Sequence, residues 1–240
     1  MNATTLQWVA LVACAGGVAL RVPGAVRGRG RLIFSALVLV TVAVALSLEP
    51  VYELVDGVLG GANAANLVLR LTLYAAFLLL GVRVAAALGS SPARRLISGS
   101  AGLVILGGAV AATVYFFLAS DLPFSSTGLR AFDEQRTVRH YASLGRIYPG
   151  YVAACLVVPS VASVLDPHAR VVHRIASACL AAGFFLVVLF VVLRLLPLEL
   201  GTWDIVLPFS AILLTVLGLC LIWLQHAFNR RDGTRSNPLA

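Results

Sequence analysis

VVHRIASACLAAGFFLVVLFVVLRLL, residues 171–196, carries no charge between Arg174 and Arg194. A helix rises 1.5 Å per residue, so a run of this length spans the roughly 30 Å hydrocarbon core of a bilayer. Reading outward from it, six more apolar runs of comparable length appear at 5–22, 32–48, 61–82, 96–119, 148–165 and 203–227. In lipid every backbone polar group must be satisfied within the segment, which selects helices for such runs. The expected fold is all-α, a polytopic bundle of seven transmembrane helices over residues 1–228, followed by a short polar tail at 229–240.

Composition supports this reading. Of 240 residues 60% are apolar and only 12% are charged. A soluble domain carries about twice that charged fraction, so water-soluble and disordered classes are excluded. The first apolar run has no basic residues before it and is followed by arginines. That is the reverse of a cleaved signal peptide, and the run is kept as a span.

The loops alternate in charge, and that sets orientation. Arg21, Arg27, Arg29 and Arg31 follow the first span, and Arg83, Arg94 and Arg95 the third. Arg170 and Arg174 follow the fifth, and Arg230, Arg231 and Arg235 the seventh. This side therefore holds twelve of the 18 arginines and only two acids, Asp166 and Asp232. The opposite side holds eight acids and six arginines, Arg70 and Arg194 being assigned to it from within spans. Arginine-rich short loops stay in the cytoplasm. The N-terminus is then outside and the C-terminus inside, as an odd number of spans requires, in a multi-pass protein of the cell membrane. The arginines lie in short segments beside apolar runs, which points to the lipid bilayer as partner and away from nucleic acid.

All 18 basic residues are Arg. Without Lys no side-chain Schiff base can form, which excludes a retinal-binding pump of similar size. Cys14, Cys155, Cys179 and Cys220 lie in four different apolar runs, as buried thiols do. No GxSxG, HExxH or phosphate-binding glycine loop occurs, and His140, His168, His173 and His226 all fall at span ends or in loops. The expectation is a protein without catalytic residues, metal or cofactor, and not an enzyme.

The third span carries the most unusual residue, Arg70. Asn63, Asn66, Arg70 and Tyr74 are spaced 3, 4 and 4 apart and share one helical face. A charge inside a span is costly, about 3 kcal/mol at the centre on insertion scales, so Arg70 must snorkel, pair or face water. Glu53, Asp56, Glu199 and Asp204 lie on the matching side as ion-pair partners. A structural ion pair is one reading. A ligand-binding or gating face made by Arg70, Asn63, Asn66 and Tyr74 is the other. Arg70 cannot relay protons, because a guanidinium does not deprotonate.

Three further segments matter. The fourth span has small residues at Ser98/Gly102 and Gly108/Ala112, which permit close helix approach within the chain or, as the sharper reading, in a homodimer. The 28 residues from Ser120 to Ile147 form the longest connection. Residues 130–147 can form a surface helix with Phe132, Val138, Tyr141 and Leu144 as its apolar stripe. Residues 50–61 read as an external loop or short surface helix, with Tyr52 at headgroup level.

Pro50-x-Tyr52-x-x-x-Asp56-x-x-x-Gly60, with Asn63 and Asn66 after it, resembles part of a family of actinobacterial integral membrane proteins. They are labelled as transporters whose function is not established, and the resemblance implies transport. The residues themselves leave three readings open. One is a non-enzymatic receptor-like or regulatory module, whose short tail would require a partner protein. A transporter or channel for a small, anionic solute is the second, and a structural subunit of a membrane complex the third.

Overall fold

The computed structural model describes residues 3–28, 30–196 and 200–235, with side chains at all of these except Ala3, Arg130 and 225–235. Helix α1 is Ala3–Val26 and α2 is Arg31–Leu46. After two residues the chain turns by 96° into α3, Glu49–Val58. Pro50 sits in its first turn, where a missing N–H costs nothing, and Glu49 complements the helix dipole there. Helix α4 is Ala64–Ala87, and α5, Ser91–Ser98, leads through Gly99 into α6, Ser100–Leu118. A short 3₁₀ stretch, Thr127–Phe132, precedes α7, Arg136–Leu165; α8 is Val171–Leu195 and α9 is Trp203–Arg235. Among the described residues there is no β-strand.

The chain is therefore an all-α multi-pass membrane protein. Among the described residues, six segments are long and apolar enough to cross a bilayer, with α5 and α6 together forming one of them. The α2–α3 pair makes a seventh if its two arms are taken as one span. At 16 residues, α2 is shorter than the usual span, because the chain bends away at Ser47.

Six helices close a ring: α1 packs on α2, α2 on α4, α4 on α7, α7 on α8, α8 on α9, and α9 back on α1. The main core fills this ring, with Leu37, Tyr74, Tyr148, Leu156, Leu180 and Phe184 almost wholly buried. The α8–α9 pair packs closely at Gly183, where a Cβ would come within 2.6 Å of Thr215 Oγ1 and 3.0 Å of the Ala211 carbonyl, and at Gly218, where one would come within 2.9 Å of the Ala176 carbonyl. Only hydrogen fits there, and the missing side chain lets the two backbones touch.

Helix α6 stands outside the ring, packed chiefly on α7. The segment 91–118 has only 11% of its apolar window buried. Its small residues do not mediate close packing throughout, since among the described residues a Cβ at Gly107 or Gly108 would meet nothing within 4 Å. Gly102 instead lies against the carbonyls of Leu96 and Ile97, where α5 turns into α6.

Two expectations change. Residues 136–147 are not a separate surface helix but the first turns of a continuous 30-residue α7. Pro149 and Gly150 lie inside it, both buried. In lipid a break would strand backbone polar groups, so the helix continues through a proline that would end it in water. Val138 and Tyr141 accordingly pack inward, with Leu129 and Phe132, against Phe116, Phe117 and Leu122. Tyr52, expected at headgroup level, is fully buried on α3 beside Leu46 and Ala65.

Candidate functional site

The polar residues singled out by spacing converge at the acid-rich end of the bundle. The carboxylate of Asp56, on α3 and fully buried, accepts from the backbone N–H of Asn63 through Oδ2 and of Ala65 through Oδ1, both at 3.0 Å. It thus caps α4 from a neighbouring helix and places negative charge where the dipole is positive. Asn63 takes the left-handed conformation, φ 58°, which asparagine tolerates better than most residues.

That conformation turns the Asn63 side chain away from α4 and makes it a hub. Its Oδ1 accepts from the Tyr52 hydroxyl at 3.0 Å and from Ser126 N–H at 2.7 Å. Its Nδ2 donates to the Phe124 carbonyl at 2.6 Å. Asn63 therefore ties α3 and the connection after α6 to the start of α4. The Tyr52 hydroxyl is the donor in its bond to Asn63.

One turn on, Asn66 is buried, and its Oδ1 accepts from Tyr141 Oη at 2.9 Å and Arg70 Nε at 3.3 Å. The Arg70 guanidinium lies over the Tyr141 ring, with Cζ 4.0 Å from its centroid. It also rests on Gly145 of α7, where a Cβ would overlap its Nη1. A cation over an aromatic face, with a hydrogen bond beside it, is a sheltered but not neutralised charge. Tyr74 is buried farther in, shares a 2.8 Å hydrogen bond with Thr113 of α6, and packs edge-on to Tyr148.

The four acids are placed differently from one another. Asp56 holds α4, and Asp204 lies 2.9 Å from Arg194 as a charge pair without aligned hydrogen-bond geometry. Glu53 is exposed on α3, and Glu199 lies outside the described residues. Among the described residues no carboxylate forms a salt bridge with Arg70.

Spacing within the third span did not reveal Arg146. It is half-buried on α7, one residue after Gly145, with Cζ 5.8 Å from the Phe190 ring centroid. It interacts electrostatically with Arg70 and Arg194, and with Asp204 and Asp133. Arg146 thus lies between Arg70 of α4 and Arg194 of α8 electrostatically, and of these three arginines Arg194 is the one in contact with a carboxylate, Asp204, among the described residues. A residue placed in a loop by hydropathy carried no signal of this until α7 proved continuous.

At the other end, His173 Nε2 and Ser163 Oγ are 3.1 Å apart, and Ser163 in turn meets Ser177 at 2.9 Å. His168 lies in a turn where its N–H donates to Asp166. Between the two ends lies a small, partly open apolar cavity walled by residues such as Leu37, Leu80, Phe184 and Val216. All four cysteines are free thiols. Compared with protein-family models, characterised proteins and solved structures, the chain matches none.

Proposed function

We propose that the chain is a non-enzymatic, receptor-like module of the cell membrane, N-terminus outside and C-terminus inside, acting through a partner protein. The observation that carries this reading is the closed polar cap. Asp56, Asn63, Asn66, Tyr52 and Tyr141 satisfy one another and lock α3, α4, α7 and the 120–132 connection together. Inward of this cap lies a small apolar cavity, which supports this reading. A polar cluster of this kind suits recognition better than passage.

In this reading a small anion is bound by Arg70 and Arg146, with Arg194 nearby already paired to Asp204. Engaging Arg70 draws it from Tyr141 and Asn66, which loosens α4 from α7. Both helices run on to the arginine-rich end, where a partner would sense the change. Co-purification of a cytoplasmic partner with the full chain, lost on deletion of residues 230–240, is the expected result. A full chain that captures no partner, with or without anion, would end this reading.

Transport of a small anion is the second reading, favoured by arginines in cavities or clusters at both ends and by the resemblance to membrane proteins labelled as transporters. It predicts anion flux into liposomes that is lost in Arg70→Ala. The receptor-like reading predicts no flux above protein-free liposomes.

A further inference from the structure

At the end of the bundle away from the polar cap, a cavity of about 520 Å³ opens between α1, α2, α4, α8 and α9. Arg21, Arg27 and Arg83 line it, with Trp223, and none of its described lining residues is acidic. Arg21 is 8% exposed and donates from Nη2 to the Leu219 carbonyl at 2.8 Å. That bond satisfies a donor and leaves the charge uncompensated. Arg83 comes from near the end of α4, and its Nε is buried with no hydrogen-bond partner among the described residues. Arg27 is exposed in the turn after α1 and can close over the opening.

A buried guanidinium without counter-charge is unfavourable unless something supplies charge and acceptors. A phosphate does both, and its oxygens match the guanidinium fork. The rest of the wall is mainly apolar, including Leu20, Ile33, Val84 and Ile222. An ion alone would leave much of this surface wet, whereas a phosphate attached to a glycerol and acyl chain would cover it. Basic pockets between helices at the cytoplasmic face are suited to anionic headgroups, and the Trp223 indole is at home at that depth.

We propose that this cavity binds a phosphate-bearing anion through Arg21, Arg27 and Arg83 at the level of the lipid headgroups. The same chemistry is available from a phospholipid or from free phosphate, and the experiment separates them. Purified full-length protein is titrated with phosphatidylglycerol or phosphatidylcholine and read by native mass spectrometry. Inorganic phosphate is tested in parallel by thermal shift. The variant Arg27→Gln/Arg83→Gln removes two of the three charges. Arg94→Gln, exposed on α5 and outside the cavity, controls for general attraction to the arginine-rich face.

Phosphatidylglycerol retained over phosphatidylcholine, weakened about tenfold or more in the double variant and unchanged in Arg94→Gln, supports the lipid source. Stabilisation by inorganic phosphate that is lost in the double variant, without lipid preference, supports the soluble source. Equal phosphatidylglycerol binding by wild type and double variant, with no phosphate-dependent stabilisation, overturns the proposal. So does an equal loss in Arg94→Gln. Should the double variant not fold, Arg27→Gln alone carries the test, because its side chain is exposed; a loss of about threefold is expected, and no loss overturns the proposal.

Discussion

Replacing Asp56 by Ala uncaps α4 from the outside. The carboxylate accepts two backbone N–H bonds at 3.0 Å and is wholly buried, so no water is at hand to replace it. Hydrogen bonds to a charged group contribute about 1.5–3 kcal/mol each, and the loss of one partner strands the other. The two bonds share one carboxylate and are not additive, so the expected loss is about 3–4 kcal/mol. For a chain of this size that corresponds to a drop of roughly 10 °C in the melting midpoint, measured in mild detergent. Asp56→Asn keeps the shape and one good acceptor but turns an amide donor toward the second N–H and removes the charge facing the helix dipole. It should recover less than half of the loss. Glu53→Ala, on the same helix but exposed, should shift stability by no more than about 0.5 kcal/mol. If Asp56→Ala melts within about 1 kcal/mol of wild type, or Asp56→Asn is indistinguishable from it, the carboxylate does not hold α4 as described.

Gly145→Ala should displace the Arg70 guanidinium from Tyr141 and Asn66 and cost about 2 kcal/mol by thermal unfolding, the arginine's flexibility limiting the loss. In an Arg70→Ala background the same change should cost little, and an equal cost in both backgrounds would refute the contact. Gly183→Ala should cost about 1–3 kcal/mol by forcing α8 from α9, whereas Gly108→Ala, in open space, should be neutral or stabilising by up to about 1 kcal/mol. A double-mutant cycle on Arg194→Gln and Asp204→Asn should give a coupling of about 1 kcal/mol, because both side chains are partly exposed and their contact is poorly aligned for a hydrogen bond.

The apolar runs were legible because each helix in lipid must hide its own backbone, which leaves an unbroken hydrophobic stretch. The spacing put Asn66, Arg70 and Tyr74 on one helix, where Asn66 and Arg70 share a hydrogen bond, but Asn63 lies before α4 in the left-handed conformation and its side chain serves Tyr52 and the 120–132 connection instead. What spacing cannot carry is the partner on another helix. Asp56 reads as an external acid available to Arg70, yet it serves two backbone amides that exist as orphans only once α4 has started at Asn63. Tyr141 and Gly145 were hidden for a different reason. The apolar run begins only at 148, so hydropathy assigns the more polar residues before it to the connection, whereas α7 runs unbroken from Arg136 and carries them to Arg70. The small residues of the fourth span show the converse. Their spacing permits close packing, but whether a partner helix arrives depends on the ring closing without α6.

The account turns on which side of the membrane each polar end occupies. Single cysteines placed at Ser125, beside the cap, and at Arg27, in the arginine-rich turn, can be labelled with a membrane-impermeant maleimide in intact cells, the four native cysteines having been replaced by Ala or Ser. Labelling of Ser125→Cys from outside, with Arg27→Cys labelled only after permeabilisation, is the predicted result. Labelling of Arg27→Cys in intact cells, with Ser125→Cys protected, would contradict it.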